Sequence, residues 1–228
     1  MKPHYSIPIE ECGDPLVPIP VERFAVVSPH PYQALGAPYG DRSPYYLRET
    51  VLGALEQAQA ELQKQRPGWR LQIFDAYRPV AVQQFMVDYT FQQLAHEKGV
   101  VVGGMTTDQQ QDLLAQVYQF WASPSPDPAT PPPHSTGAVV DLTLVDEQQN
   151  PADMGSPIDE ISERSYPNHF EKAVSKEAQT YHQNRCLLAN VMTAAGFRQH
   201  PNEWWHFSLG DQLWAWLSGQ TQAQYGGI

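Results

Sequence analysis

Between Ser123 and Pro133 the chain carries prolines at 124, 126, 128 and 131 to 133. Such a run lacks most backbone donors and cannot enter a helix or a central strand, so it is a stiff extended loop, too short to separate domains convincingly. The first 45 residues are also rich in Pro and Gly, and Phe24-Ala25-Val26-Val27 is their clearest apolar run. They read as arms wrapping a core, with one short strand.

From Tyr46 the pattern becomes regular. Leu47, Val51, Leu55, Ala58 and Leu62 recur at helical spacing, predicting a helix that ends near Pro67-Gly68. Trp69, Leu71 and Ile73 alternate with Arg70 and Gln72, predicting a strand into Asp75-Ala76-Tyr77-Arg78-Pro79. Val82, Phe85, Met86 and Tyr89 form a second stripe, closed by Gly99. A third helix is expected from Thr107, capped through Gln110, to about Trp121. Beyond the proline run come a strand over 138–145, a polar loop, a helix ending at Ala195-Gly196, a strand over 204–208 and a short C-terminal helix. A chain of 228 residues suits one domain over 1–228, with an arm at 1–45 and a core over about 46–210.

With 25 acidic against 14 basic side chains, the net charge of −11 excludes an electrostatic footprint for nucleic acid or an anionic membrane. A small neutral or zwitterionic partner fits better. The first twenty residues show no signal-peptide pattern and no later run could span a bilayer, so the expected location is cytoplasmic. Cys12 and Cys186 then read as free thiols.

Three separated segments hold the residue types of a catalytic site. In His134-Ser-Thr-Gly137-Ala-Val-Val-Asp141, the His and Asp are seven apart, so in one unbroken strand they would face opposite sides. A turn or bulge at Gly137 resolves this, leaving His134 on an incoming loop and Asp141 in the strand. In Glu203-Trp-Trp-His206 the parity again fails for one face, which places Glu203 at the turn after Pro201-Asn202 and His206 within the strand. Two imidazoles and a carboxylate leave a fourth zinc position to water, the catalytic pattern. Arg78 sits where a strand gives way to a helix and is positioned to donate to an oxyanion, or else to pair with Asp75. His96, His169, His182 and His200 are read as surface or hydrogen-bonded imidazoles, and Trp204 as core or as a wall beside Glu203.

In these segments the sequence resembles the D-alanyl-D-alanine dipeptidases of the VanX type, related to D,D-carboxypeptidases and to the zinc fold of hedgehog proteins. The family's His-x-x-Gly-x-Ala-x-Asp pattern is met at His134, Gly137 and Asp141, with Val139 in place of the Ala. Its Glu-x-x-His is met at Glu203 and His206, and its Tyr-Arg-Pro at 77–79. The resemblance extends to Asp153-Met-Gly-Ser-Pro-Ile-Asp159 and covers about residues 45–210 in the expected order.

It implies an α+β fold with a small, mostly antiparallel sheet carrying the metal, and one zinc ion per chain on His134, Asp141 and His206. It further implies Glu203 as general base, Arg78 as oxyanion donor and Asp159 as the acceptor of a dipeptide's amino group. Pro132 and Pro133 depart from the family, which has Ser two residues before the metal His and, in the dipeptidases, Ser directly before it. Three rivals are a peptidase acting on peptidoglycan stem peptides, a non-haem iron oxygenase, whose jelly roll the helical stripes disfavour, and a zinc-stabilised binding module, which would need neither Glu203 nor Arg78.

Overall fold

The structure is a computed structural model and describes residues 2–228. In chain order its elements are β1 (Leu16–Pro18), β2 (Ala25–Val26), α1 (Pro31–Ala34), β3 (Tyr46–Arg48), α2 (Glu49–Gln65), β4 (Arg70–Asp75), α3 (Val80–Glu97), α4 (Thr107–Val117), β5 (Val139–Val145), α5 (Lys176–Ala194), β6 (Arg198–Gln199), β7 (His206–Ser208) and α6 (Gln212–Leu217). This is the expected α+β class. The main sheet has the order β2-β4-β5-β7-β6, antiparallel except for the parallel β2–β4 edge, and β1 pairs with β3 in a second, two-stranded sheet.

Val51, Leu55, Ala58 and Leu62 of α2 and Leu188, Val191 and Met192 of α5 bury against Leu71 and Ile73 of β4 and Val140, Leu142 and Leu144 of β5. Every residue of β5 is buried, which is why this strand reads as a continuous apolar run broken only by Asp141 and Thr143. A smaller cluster joins Val82, Met86 and Val87 of α3 to Val117, Trp121, Tyr32 and Tyr39.

Three sequence expectations need correction. The first 45 residues are more than an arm, because β2 is an edge strand of the main sheet and Phe24 is fully buried in its core. The third helix is capped by Thr106, whose hydroxyl accepts from Gln109 N while Gln109 Oε1 accepts from Thr106 N, and it ends at Val117 rather than Trp121. The strand expected over 204–208 is shorter, since turns at 201–202 and 204–205 flank Glu203 before β7.

Two local features position the site. Gly137 closes a 3-10 turn over Pro133–Thr136 with φ +69°, and a Cβ there would lie 2.6 Å from Leu16 Cδ1, so both conformation and space demand glycine. In β4 the register against β5 slips at Phe74, from Ile73↔Leu142 to Asp75↔Asp141. Directly opposed residues share a sheet face. The slip therefore moves Asp75 off the face of Leu71 and Ile73 and sets it beside Asp141, whose other neighbour across the sheet is His206.

Candidate active site

Three adjacent strands thus bring Asp75, Asp141 and His206 side by side on one face, and the Gly137 turn delivers His134 to the same point. All four are buried. His134 Nε2 lies 3.1 Å from Asp141 Oδ2, and His206 Nδ1 lies 3.1 Å from Asp141 Oδ1. The His134, Asp141 and His206 donors all fall within 4.8 Å of one another.

Despite this closeness, Asp141 Oδ1 is without a well-formed hydrogen bond among the described residues, so the lone pairs are not satisfied by one another. Donors about 2.0–2.2 Å from a tetrahedral zinc would stand about 3.3 Å apart, close to these separations. The residues fit a metal ion. The orientation of one ligand is also set, because His134 Nδ1 meets the Ala76 carbonyl oxygen at 2.7 Å and turns Nε2 toward Asp141.

Glu203 lies between the turns before β7, outside the strand as its parity required. Its Oε2 lies 3.4 Å from His206 Nδ1 and its Oε1 3.6 Å from His200 Nδ1. Burial and the nearby charge of Asp141 hold its carboxyl well above the usual carboxylate range. Burial also pushes Asp141 up, but His134 and His206 outweigh it and keep Asp141 ionised.

Arg78 follows β4 and pairs with Asp75, one of the two roles the sequence allows it. Its Nε and Nη2 donate to Asp75 Oδ2 at 2.9 and 2.7 Å, and Nη1 donates to Gln83 Oε1 at 2.8 Å. Nη2 also stands 3.5 Å from Asp141 Oδ2, and the guanidinium lies over the rings of Tyr32 and Trp121. Asp75 is fixed in turn by His30 Nε2 and by the Tyr39 hydroxyl, each at 3.1 Å from Oδ1. The ion pair aims the guanidinium rather than removing it from the cavity, whose lining includes Arg78, His134, Asp141, Asp159, Glu203 and His206.

Asp159 reaches this cavity from the loop between β5 and α5, with φ +66°, a backbone state uncommon for a residue other than glycine. Tyr32 donates to its Oδ2 at 2.7 Å. Burial and then the charge of Asp141 raise its carboxyl to about 7, against the pull of Arg78. Asp159 is a half-buried loop residue that caps no helix and lines the cavity.

Sequence reasoning missed several neighbours. His200, read as a surface or hydrogen-bonded imidazole, does accept from Asn202 N at Nδ1, and it also packs its ring 5.2 Å from that of His206. Trp205, not Trp204, lines the cavity, while Trp204 is core and donates to Ser156 Oγ at 3.0 Å. His30, Tyr32 and Tyr39 come from the aperiodic N-terminal part, where no spacing signals a role. Neither cysteine is near the site or bonded to the other.

Two imidazoles and a carboxylate converging in a buried cavity, beside a second carboxyl and a prepositioned guanidinium, form the donor set that a metal-dependent hydrolase requires. Residues 26–224 match the model of a peptidase family, M15, described as D-ala-D-ala dipeptidase, and the chain belongs to this metallopeptidase family. It is 49% identical to a D-alanyl-D-alanine dipeptidase of Synechocystis sp. over 99% of this chain and 94% of that protein. A D-alanyl-D-alanine dipeptidase of Enterococcus faecalis is 29% identical over 70% of this chain and 71% of its own. Among solved structures, VanYB in complex with D-alanine-D-alanine is similar with a TM-score of 0.45 and 14% identity over 77% of this chain and 79% of its own. No helix among the described residues is long and apolar enough to cross a membrane.

Proposed function

We propose that this protein hydrolyses D-alanyl-D-alanine to two molecules of D-alanine, using one zinc ion held by His134, Asp141 and His206. The observation that carries this reading is the register of β5 and β7, which sets Asp141 opposite His206 and brings three buried donors together beside Glu203 and Arg78. A bound zinc ion would polarise the scissile carbonyl and lower the pKa of a water toward neutrality.

The protein's own groups do the rest. Glu203 takes a proton as the water oxygen adds to the carbonyl carbon, and returns it to the nitrogen as the carbon–nitrogen bond breaks. A carboxyl whose pKa is raised by burial is suited to hold that proton between the two steps. Arg78, locked by Asp75 and Gln83 before substrate arrives, donates to the oxygen on which negative charge develops. Asp159, fixed by Tyr32, receives the free amino group. Burial of these groups keeps the dielectric low, so each charge interaction acts more strongly than it would in water.

Taken with the net charge of −11, the site suits a small zwitterion in the cytoplasm, and we take residues 1–228 as one domain. The test is a substrate panel: the zinc-loaded protein releases D-alanine from D-Ala-D-Ala, with L-Ala-L-Ala, N-acetyl-D-Ala-D-Ala and a D-Ala-terminated tripeptide turned over at least a hundredfold more slowly. Comparable turnover of the blocked or longer peptides would instead make the protein a carboxypeptidase with an open amine pocket beside Pro132 and Pro133.

A further inference from the structure

The N-terminal turn over Pro3–Ser6 reaches the catalytic cavity, and Lys2 and His4 are both in its lining. This segment is anchored rather than loose. Ile9 bridges to Ala223, Glu10 N donates to Ala223 O, Ala223 N donates to Pro8 O, and Gln212 Nε2 donates to Ile7 O at 2.7 Å. His4 is buried, and its Nε2 has no hydrogen-bond partner among the described residues.

Lys2 lies between two spaces. Inward is the catalytic cavity, whose enclosed volume of about 40 Å³ is enough for a few waters and too small for a dipeptide. Outward is a vestibule of about 480 Å³ lined by Lys2, Tyr5, Tyr118, Trp121 and Ser123. Lys2 and Trp121 are common to both, so the two spaces adjoin at Lys2.

Charge then selects which end of the substrate faces Lys2. The cavity lining holds the carboxyls of Asp141, Asp159 and Glu203, while its cations are Lys2 and Arg78. Arg78 is held by Asp75 and Gln83, and in the hydrolysis proposed above it serves the reacting carbonyl oxygen and not the terminal carboxylate. The Lys2 ammonium makes no ion pair or hydrogen bond with a described residue, although it is half-buried and feels the charge of Glu203. In the hydrolysis proposed above, Glu203 serves the nitrogen of the leaving alanine, and the substrate's carboxylate is two bonds from that nitrogen. The group that reads this carboxylate therefore belongs on the Glu203 side of the cavity, where Lys2 is.

We infer that Lys2, with the unpartnered His4 imidazole beside it, forms the subsite for the free carboxylate of the substrate and makes the enzyme select peptides that end in a free carboxylate. The inference rests on the dipeptidase reading. It concerns specificity: Lys2 acts on the carboxylate and not on the reacting carbonyl.

The experiment compares kcat/KM for D-Ala-D-Ala with that for its C-terminal amide in the wild type, Lys2→Gln and Lys2→Arg. Loss of one charge-assisted hydrogen bond corresponds to roughly 10- to 100-fold. In Lys2→Gln the preference for acid over amide is expected to shrink by that factor, mainly through KM for the acid, and Lys2→Arg is expected to restore most of it. An unchanged acid-to-amide ratio in Lys2→Gln would overturn the inference. So would an equal fall for both substrates, which would mean that Lys2 supports Glu203 or the fold. Failure of the wild type to cleave D-Ala-D-Ala at all would instead sink the dipeptidase reading, an outcome distinct from a flat ratio.

Discussion

Replacing Glu203 by glutamine is expected to lower kcat on D-Ala-D-Ala by roughly 10²- to 10⁴-fold while zinc content stays at one per chain. Glutamine keeps the shape of the side chain beside His200 and His206 but cannot take a proton from water. The three proposed metal donors are carried by β5, by β7 and by the Gly137 turn, so their backbone placement comes from strand pairing and that turn. Steady-state kinetics with metal analysis of the same preparation check this. A variant that lost its zinc together with its activity would show that Glu203 holds the metal site and is no separate base.

Arg78→Ala is expected to be costly in two ways at once. Asp75 is fully buried, and the guanidinium supplies two of its hydrogen bonds. Removing one partner of such a pair leaves an uncompensated buried charge, worth about 3–5 kcal/mol of stability. Loss of an oxyanion donor further lowers kcat by about 10²- to 10³-fold. The two effects separate in the Asp75→Asn/Arg78→Ala double variant. Urea unfolding is expected to recover much of the lost stability there, since the buried charge is gone, while activity remains low. If activity returned with stability, Arg78 would be a structural ion-pair partner and nothing more.

Much of this site was legible because strand parity is a hard constraint. His134 and Asp141, seven positions apart, could not share a face without a break, and Gly137 was the residue able to provide it; the observed φ of +69° is that break. The same reasoning placed Glu203 at a turn and His206 in a strand. Parity also has limits. Alternation along β4 assigns Asp75 to the face of Leu71 and Ile73, and only pairing with β5 reveals the slip at Phe74 that turns it to Asp141. Choosing between Trp204 and Trp205 as the cavity wall likewise required knowing where β7 begins.

The cap of α4 was displaced by one residue because Thr106-Thr107 and Gln109-Gln110 offer the same box in two registers, and side-chain pattern alone does not choose. His30, Tyr32 and Tyr39 were not legible at all. They act across some 36 to 127 residues of sequence, on Asp75 and Asp159, from a segment whose prolines and glycines suppress any periodic signal. Lys2 and His4 belong to the same class, since their place beside Glu203 and His206 is set by the pairing of residues 8–10 with Ala223.

The central claim is that the triad of His134, Asp141 and His206 holds a catalytic zinc ion. It is tested most directly by following D-alanine release from D-Ala-D-Ala while chelator-treated protein is titrated with zinc. The expected result is no turnover in the metal-free protein and a linear recovery that breaks sharply at one zinc per chain, absent in Asp141→Ala. Full turnover by metal-free protein, or recovery that Asp141→Ala shares, would contradict the account.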